Sequence, residues 1–153
     1  MDNHKPNLAQ KAVLGVRGEE LATNYLLRNG FELVMQNFKA PIGRNRKGTQ
    51  ISGEIDIIAL DGDVVCFIEV KARKSESEVD AISAVDLRKQ RQITRTAREY
   101  RRIFGVNNEI RFDVIAVIPN KNRAPLIRHL RGFWSEEKFQ KRRWLEGGYQ
   151  PSF

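Results

Sequence analysis

Apolar and polar residues alternate along this chain with two different periods, and the changeovers divide it into elements. From about Leu8 to Arg28 the apolar residues recur at helical spacing, and Asn29–Gly30 supplies a stop. "FELVMQNF" (31–38) reads as a strand, followed by a loop, "KAPIGRNRKGTQIS" (39–52), that holds Pro41, two glycines and four basic residues. "GEIDIIAL" (53–60) and "VVCFIEVKA" (64–72) read as strands joined through "DGD", a hairpin signal. "KSESE" (74–78) is a solvated loop, and about Asp80 to Phe104 forms a second long helix, rich in arginine and ending at Gly105. "IRFDVIAVIP" (110–119) is a strand stopped by Pro119, and "LIRHL" (126–130) is a short one after it. "SEEKFQKRRWLEGG" (135–148) predicts a last helix, with Ser135 as N-cap and Gly147 as stop. The order predicts an α/β fold. A mixed central sheet is flanked by helices in an α-β-β-β-α-β core over about 8–133, one domain with a C-terminal extension at 134–153.

The central strands carry charges that a sheet core does not accept without compensation. Side chains alternate faces along a strand, so Glu69 and Lys71 share one face, and Glu54 and Asp56 share one. If Leu60 pairs with Asp63 across a two-residue turn, Asp56 falls opposite Phe67 and Glu54 opposite Glu69. Asp56 is then diagonal to Glu69, within reach of a shared ligand. A three-residue loop would put the two on opposite faces. Adjacent carboxylates repel, and a divalent cation resolves the repulsion; Mg²⁺ takes hard oxygen ligands, usually one or two carboxylates plus waters and substrate phosphate. The competing reading is a set of ion pairs on a solvated face, Glu69 with Lys71 or Arg73.

Bulk properties tilt the choice. The 153 residues carry a formal net charge of +8 and a sequence pI near 9.9, which favours a polyanionic partner, nucleic acid before membrane. No apolar run is long enough to span a bilayer, and "MDNHKPNLAQ" lacks the apolar region of a signal peptide. A single cysteine, Cys66, excludes an internal disulfide framework and a multi-cysteine zinc site. A reducing, cytoplasmic setting is expected. No Gly-x-Ser-x-Gly motif or phosphate-binding loop occurs.

An Asp followed by Glu-x-Lys on the next strand resembles the PD-(D/E)xK nuclease core. More narrowly, "GEIDIIA…FIEVKAR" resembles the YraN-type family of uncharacterised bacterial proteins, related to archaeal Holliday-junction resolvases. "GVRGEELATNYLLRNGFELVMQNF" upstream, and "AVDLRKQRQITRTAREY" with "IRFDVIAV" downstream, continue the likeness over roughly residues 12–133. The resemblance implies a restriction-endonuclease-like fold and an Mg²⁺- or Mn²⁺-dependent endonuclease acting on DNA, branched or otherwise structured. It implies that Asp56 and Glu69, with the Val70 carbonyl, hold the metal and that Lys71 assists catalysis. Glu19, from "RGEELA", matches the acidic residue of the first helix that helps hold metal or water. Spacing supports Glu19 over Glu20, because Glu19 lies on the stripe with Gly15, Ala22 and Leu26. A homodimer is also raised, since symmetric cutting of two strands needs two sites.

Six arginines cover the second helix: Arg88, Arg91, Arg95, Arg98, Arg101 and Arg102. With Arg44, Arg46 and Lys47 of the loop and Arg73, they outline a nucleic-acid track that grips the backbone without reading sequence. Lys89 is the anomaly on the stripe Val85, Lys89, Ile93, Ala97, Tyr100 and Phe104. It either reaches the scissile phosphate or snorkels to the rim of the core. Trp134, Phe139 and Trp144 pack the tail on the core, or else stack on bases. His4 and His129 lack zinc spacing, and Asp113 pairs with Arg111 or a helix arginine, without a catalytic role. Two expectations of other classes stand beside the nuclease: a nucleic-acid-binding module on the same fold without turnover, and an RNA-binding accessory protein.

Overall fold

The computed structural model describes residues 8–72, 85–118, 120 and 122–140, without the side chains of 8–14. The N-terminal helical period forms α1, Leu8–Arg28, and Gly30 ends it with a φ of 82° that few other residues accept. Strands β1 (Glu32–Arg44), β2 (Gln50–Asp61) and β3 (Val64–Ala72) follow, then α2 (Leu87–Phe104), β4 (Ile110–Ile118) and β5 (Leu126–Trp134). A 3₁₀ turn, Glu136–Phe139, closes the described chain. The strands lie in sequence order in one five-stranded sheet. All neighbours run antiparallel except β3 and β4, which are parallel, with α2 in the crossover between them. This is the restriction-endonuclease-like α/β fold expected of the sequence, with β5 completing the sheet.

Each helix covers one face. Ala22 and Leu26 of α1 pack with Ile57, Ala59, Cys66, Ile68, Val70, Ile115 and Val117. Ile93, Ala97 and Tyr100 of α2 pack with Ile55, Ile58, Phe67, Phe112 and Val114 on the other face. Two glycines set how closely the helices approach. A Cβ on Gly18 would stand 2.6 Å from the Cβ of Ala72, and one on Gly53 would stand 1.9 Å from the Thr96 hydroxyl oxygen. Trp134 stacks on Phe112 at 4.9 Å and its indole N–H donates to Thr94 Oγ1 at 2.9 Å, the packing role expected of it.

Several boundaries differ from the sequence reading. The loop expected over 39–52 is mostly strand: β1 and β2 run on as a long hairpin, with only 45–49 outside them. Alternate burial of Phe38, Ala40 and Ile42 drives the extension. Pro41 is accepted because β1 is the sheet edge and its register shifts between Pro41 and Gly43. The β2–β3 turn is Gly62–Asp63, with Asp61 paired to Val64 and Leu60 to Val65, not Leu60 to Asp63. Gly62 takes φ 59°, the positive value that primed hairpin turns require of their first residue. The described part of the second helix starts at Leu87, capped by Asp86, whose carboxylate accepts the Lys89 N–H at 2.9 Å. The expected start at Asp80 and the 74–78 loop lie outside the described residues. β5 extends four residues past Leu130, so Trp134 ends the sheet rather than opening the tail. Ser135 starts a 3₁₀ turn, not an α-helix, and makes no side-chain cap bond. Gly147, Trp144 and His4 lie outside the described residues.

The close approach at Gly53 gives a stability test. Gly53→Ala is expected to lower unfolding free energy by about 1–3 kcal/mol, as overpacking does, read as a fall in the urea midpoint at unchanged slope.

Candidate metal centre and basic cleft

The site begins with a break in alternation. Ile55 packs on the α2 side, but Ile57, two residues on, packs on the α1 side, with Ile58 back against α2. Asp56 sits at the break. The β2–β3 ladder ends at Ile57 opposite Ile68, and the Asp56 carboxylate accepts the Val70 N–H at 2.8 Å. The register runs two residues beyond the one expected and brings Asp56 across from Glu69 itself, while the break takes Glu54 off the face it was expected to share with Asp56. Glu54 does not face Glu69; it pairs across β1–β2 with Lys39, at 3.9 Å.

Glu69 is only 3% exposed. Its Oε1 takes both ammonium groups of the site, Lys71 at 3.1 Å and Lys89 at 3.6 Å. Its Oε2 is buried and has no hydrogen-bond partner among the described residues. Burial, and next the Glu69 charge, push the Asp56 carboxyl up to about 8, against the Val70 N–H, which favours ionisation. Two carboxylates have no proton donor between them unless one is protonated. A proton on Asp56, or a cation in its place, relieves the repulsion within the pair.

Glu19 reaches the same region from α1. Gly18 presses α1 against the end of β3 at Ala72, one residue past Lys71. Burial raises the Glu19 carboxyl, and the charges of Glu54 and Glu69 add to it, while a hydrogen bond from the Asn37 side chain opposes the rise. Glu19 in turn helps hold Asp56 protonated. Gly15, expected on the inward stripe, is exposed, whereas Ala22 and Leu26 are buried. Among the described residues no three His, Cys, Asp or Glu side chains converge as a ready-made metal cage. The acidic site is the pair Asp56–Glu69 with the Val70 backbone beside it, a donor set of hard oxygens that suits Mg²⁺ or Mn²⁺ with substrate and water filling the remaining positions.

Another buried carboxylate shows what satisfaction looks like. Asp113, fully buried, binds Arg111 at 2.8 and 2.9 Å, His129 Nε2 at 2.8 Å and the Gly132 N–H at 2.9 Å. Burial alone would raise it, but these partners outweigh burial and hold it at about 2. Asp113 and His129 are thus structural, as expected of them.

Beside Lys71 opens a cleft of about 470 Å³ whose charged lining is Lys71, Arg88, Lys89, Arg91 and Arg95 against one acid, Asp86. Lys89 therefore stands at the site and not merely at the core rim. Arg95 donates to the Ile42 carbonyl, and the Arg91 guanidinium lies 5.7 Å over the Phe139 ring. The other helix arginines are spent elsewhere: Arg98 and Arg101 bind Glu136 at 3.2 and 3.1 Å, and Arg102 binds Glu99 at 2.8 Å. Arg44 closes its own hairpin turn through the Gly48 carbonyl at 2.7 Å, while Arg46 and Lys47 stand exposed at the tip. Arg73 lies outside the described residues. The sequence reading missed Asn37, a non-glycine residue at φ 52°. Its trace was the three-residue step from Met35 to Phe38, which puts both on one core and cannot fit plain alternation.

The pair makes a pH prediction. Between the ordinary Asp value of 3.8 and about 8, the folded protein keeps a proton on Asp56 that the unfolded chain has lost. Stability of the metal-free protein therefore falls as pH rises through that window. Asp56→Asn retains an acceptor for the Val70 N–H and removes the titration. Its melting temperature is expected to exceed that of the wild type at pH 8, with the gap closing towards pH 4; parallel curves would refute the strain assigned to the pair.

Residues 18–117 match the model of the uncharacterised protein family UPF0102. A UPF0102 protein of Chlorobium chlorochromatii (strain CaD3) is 37% identical over 130 residues, covering 81% of this chain and 93% of its own. Another, of Rhodococcus jostii (strain RHA1), is 35% identical over 125 residues, covering 81% and 98%. A solved chain described as "Crystal structure of SSO0001" covers 85% of this chain and 56% of its own, at a TM-score of 0.45 and 19% identity. The YraN-type likeness of the motifs is thereby borne out at the level of the family: this chain is a member of UPF0102.

Proposed function

We propose that this protein is a metal-dependent endonuclease that hydrolyses phosphodiester bonds in DNA. The observation that carries the reading is the meeting of the Asp56 and Glu69 carboxyl groups, with a buried Glu69 Oε2 that has no hydrogen-bond partner among the described residues, at the edge of a cleft lined by five cationic side chains. Asp56, Glu69 and the Val70 carbonyl would hold Mg²⁺ or Mn²⁺. When bound, the ion supplies Lewis-acid stabilisation and makes water a stronger nucleophile.

The chain's own residues do the rest. Lys71 and Lys89 share Glu69 Oε1, so both ammonium groups are held where charge builds on a bound phosphate. Glu19 approaches from the α1 face and orients water on that side. Arg88 and Arg91 grip the backbone, and Arg46 and Lys47 extend the grip along the hairpin. Contacts of this kind carry no sequence readout. Among the described residues no helix is long and apolar enough to cross a membrane.

Labelled duplexes, flaps, junctions and RNAs are incubated with Mg²⁺, with Mn²⁺ and with EDTA. Cleavage of DNA that needs metal and vanishes in Asp56→Asn is expected. Lys71→Met should lose about 10²–10³-fold in rate. Arg88→Ala and Arg91→Ala should each weaken binding and lower the salt slope by about 1. Salt-dependent binding that is indifferent to metal and to Asp56→Asn, with no cleavage, would replace the nuclease by a binding module. A preference for RNA would replace DNA as the partner.

A further inference from the structure

Asn37 lies in β1 between the pairs Gln36–Ile57 and Phe38–Ile55, which puts it across from Asp56. It is one of two non-glycine residues with positive φ among the described residues, at 52°. Asparagine tolerates that conformation better than other residues with a Cβ, but at a cost that a strand does not ordinarily meet. The residues around it explain what the conformation does. Met35, Phe38 and Ala40 all pack on the α2 side, so β1 breaks alternation opposite the break in β2. The two residues inside the break, Gln36 and Asn37, both turn to α1. The Gln36 amide donates to Thr23 Oγ1 at 2.8 Å, and the Asn37 side chain bonds Glu19, one helical turn earlier.

We infer that Asn37 is a positioning residue of the acidic site: its left-handed backbone lets β1 and β2 break alternation together where β2 leaves β3, so that the Asp56 carboxylate takes the Val70 N–H beside Glu69, and its side-chain amide fixes Glu19 beside them. The inference rests on reading that site as a metal centre. A plain strand would leave Asp56 in alternation with Glu54 and would turn one of Gln36 and Asn37 away from α1. The two tasks separate by substitution. Glycine keeps the backbone conformation and loses the amide; alanine loses both.

Two measurements test it. In the metal-free protein, the Asn37 side-chain amide resonance, assigned by its loss in Asn37→Gly, should move on Glu19→Ala. In Mn²⁺ titrations without DNA, Asn37→Ala should bind about 10-fold more weakly than wild type or worse, as loss of an outer-shell support does. Asn37→Gly should bind within about twofold of wild type, because glycine accepts positive φ. Melting curves identify a variant that fails to fold, and Asn37→Gly then decides with the amide resonance. An amide resonance unmoved by Glu19→Ala, or Asn37→Ala binding Mn²⁺ like wild type, overturns the inference. Wild type that binds no Mn²⁺ strikes down the metal reading instead, and the amide resonance still decides whether Asn37 holds Glu19.

Discussion

Repulsion between two carboxyl groups, pressed together where β2 and β3 part inside the sheet, is the constraint around which this molecule is arranged. Asp56 and Glu69 meet where the β2–β3 ladder stops, and burial and the Glu69 charge there hold the Asp56 carboxyl well above its ordinary range. Lys71 and Lys89 meet one oxygen of Glu69 and leave the other bare. Asp113, in the same sheet and equally buried, has every oxygen satisfied and is held ionised. A buried carboxylate with donors on both oxygens is part of a scaffold; in Glu69 one buried oxygen has none among the described residues.

The scaffold serves that spot by close approach. Gly18 brings α1 against the end of β3, and Gly53 brings α2 against β2. A methyl group at either would push a helix off the sheet and carry Glu19 or Lys89 with it. The segment after β5 adds a different control. Glu136 neutralises Arg98 and Arg101, so the positive field of α2 is concentrated on its first two turns, where the cleft is. A helix with six arginines becomes a short grip beside Lys71 rather than a uniformly basic rod.

Family membership and chemistry come from different observations. The match to UPF0102 over residues 18–117 places the chain among uncharacterised relatives and is silent on reaction. The chemical reading comes from Glu69 Oε2, from the raised Asp56 carboxyl and from the cleft charges. The break in alternation shared by Asn37 and Asp56 belongs with these, because a regular strand would not turn both Gln36 and Asn37 to α1.

Periodicity by itself determined α1, the two central strands, β4 and the buried stripe of α2, since burial of apolar residues selects one face at a spacing that each element fixes. It also determined that Glu69 and Lys71 share a face, because residues two apart along an unbroken strand do. The length of the β1–β2 hairpin escaped it: Pro41 and two glycines argued for a loop, and edge position with buried Ala40 and Ile42 overruled them. Asp56 against Glu69, Lys89 against Glu69, and Asn37 against Glu19 were decided only by tertiary structure. Each depends on a turn register, a helix approach distance or a single left-handed residue, and none of these leaves a period in the sequence.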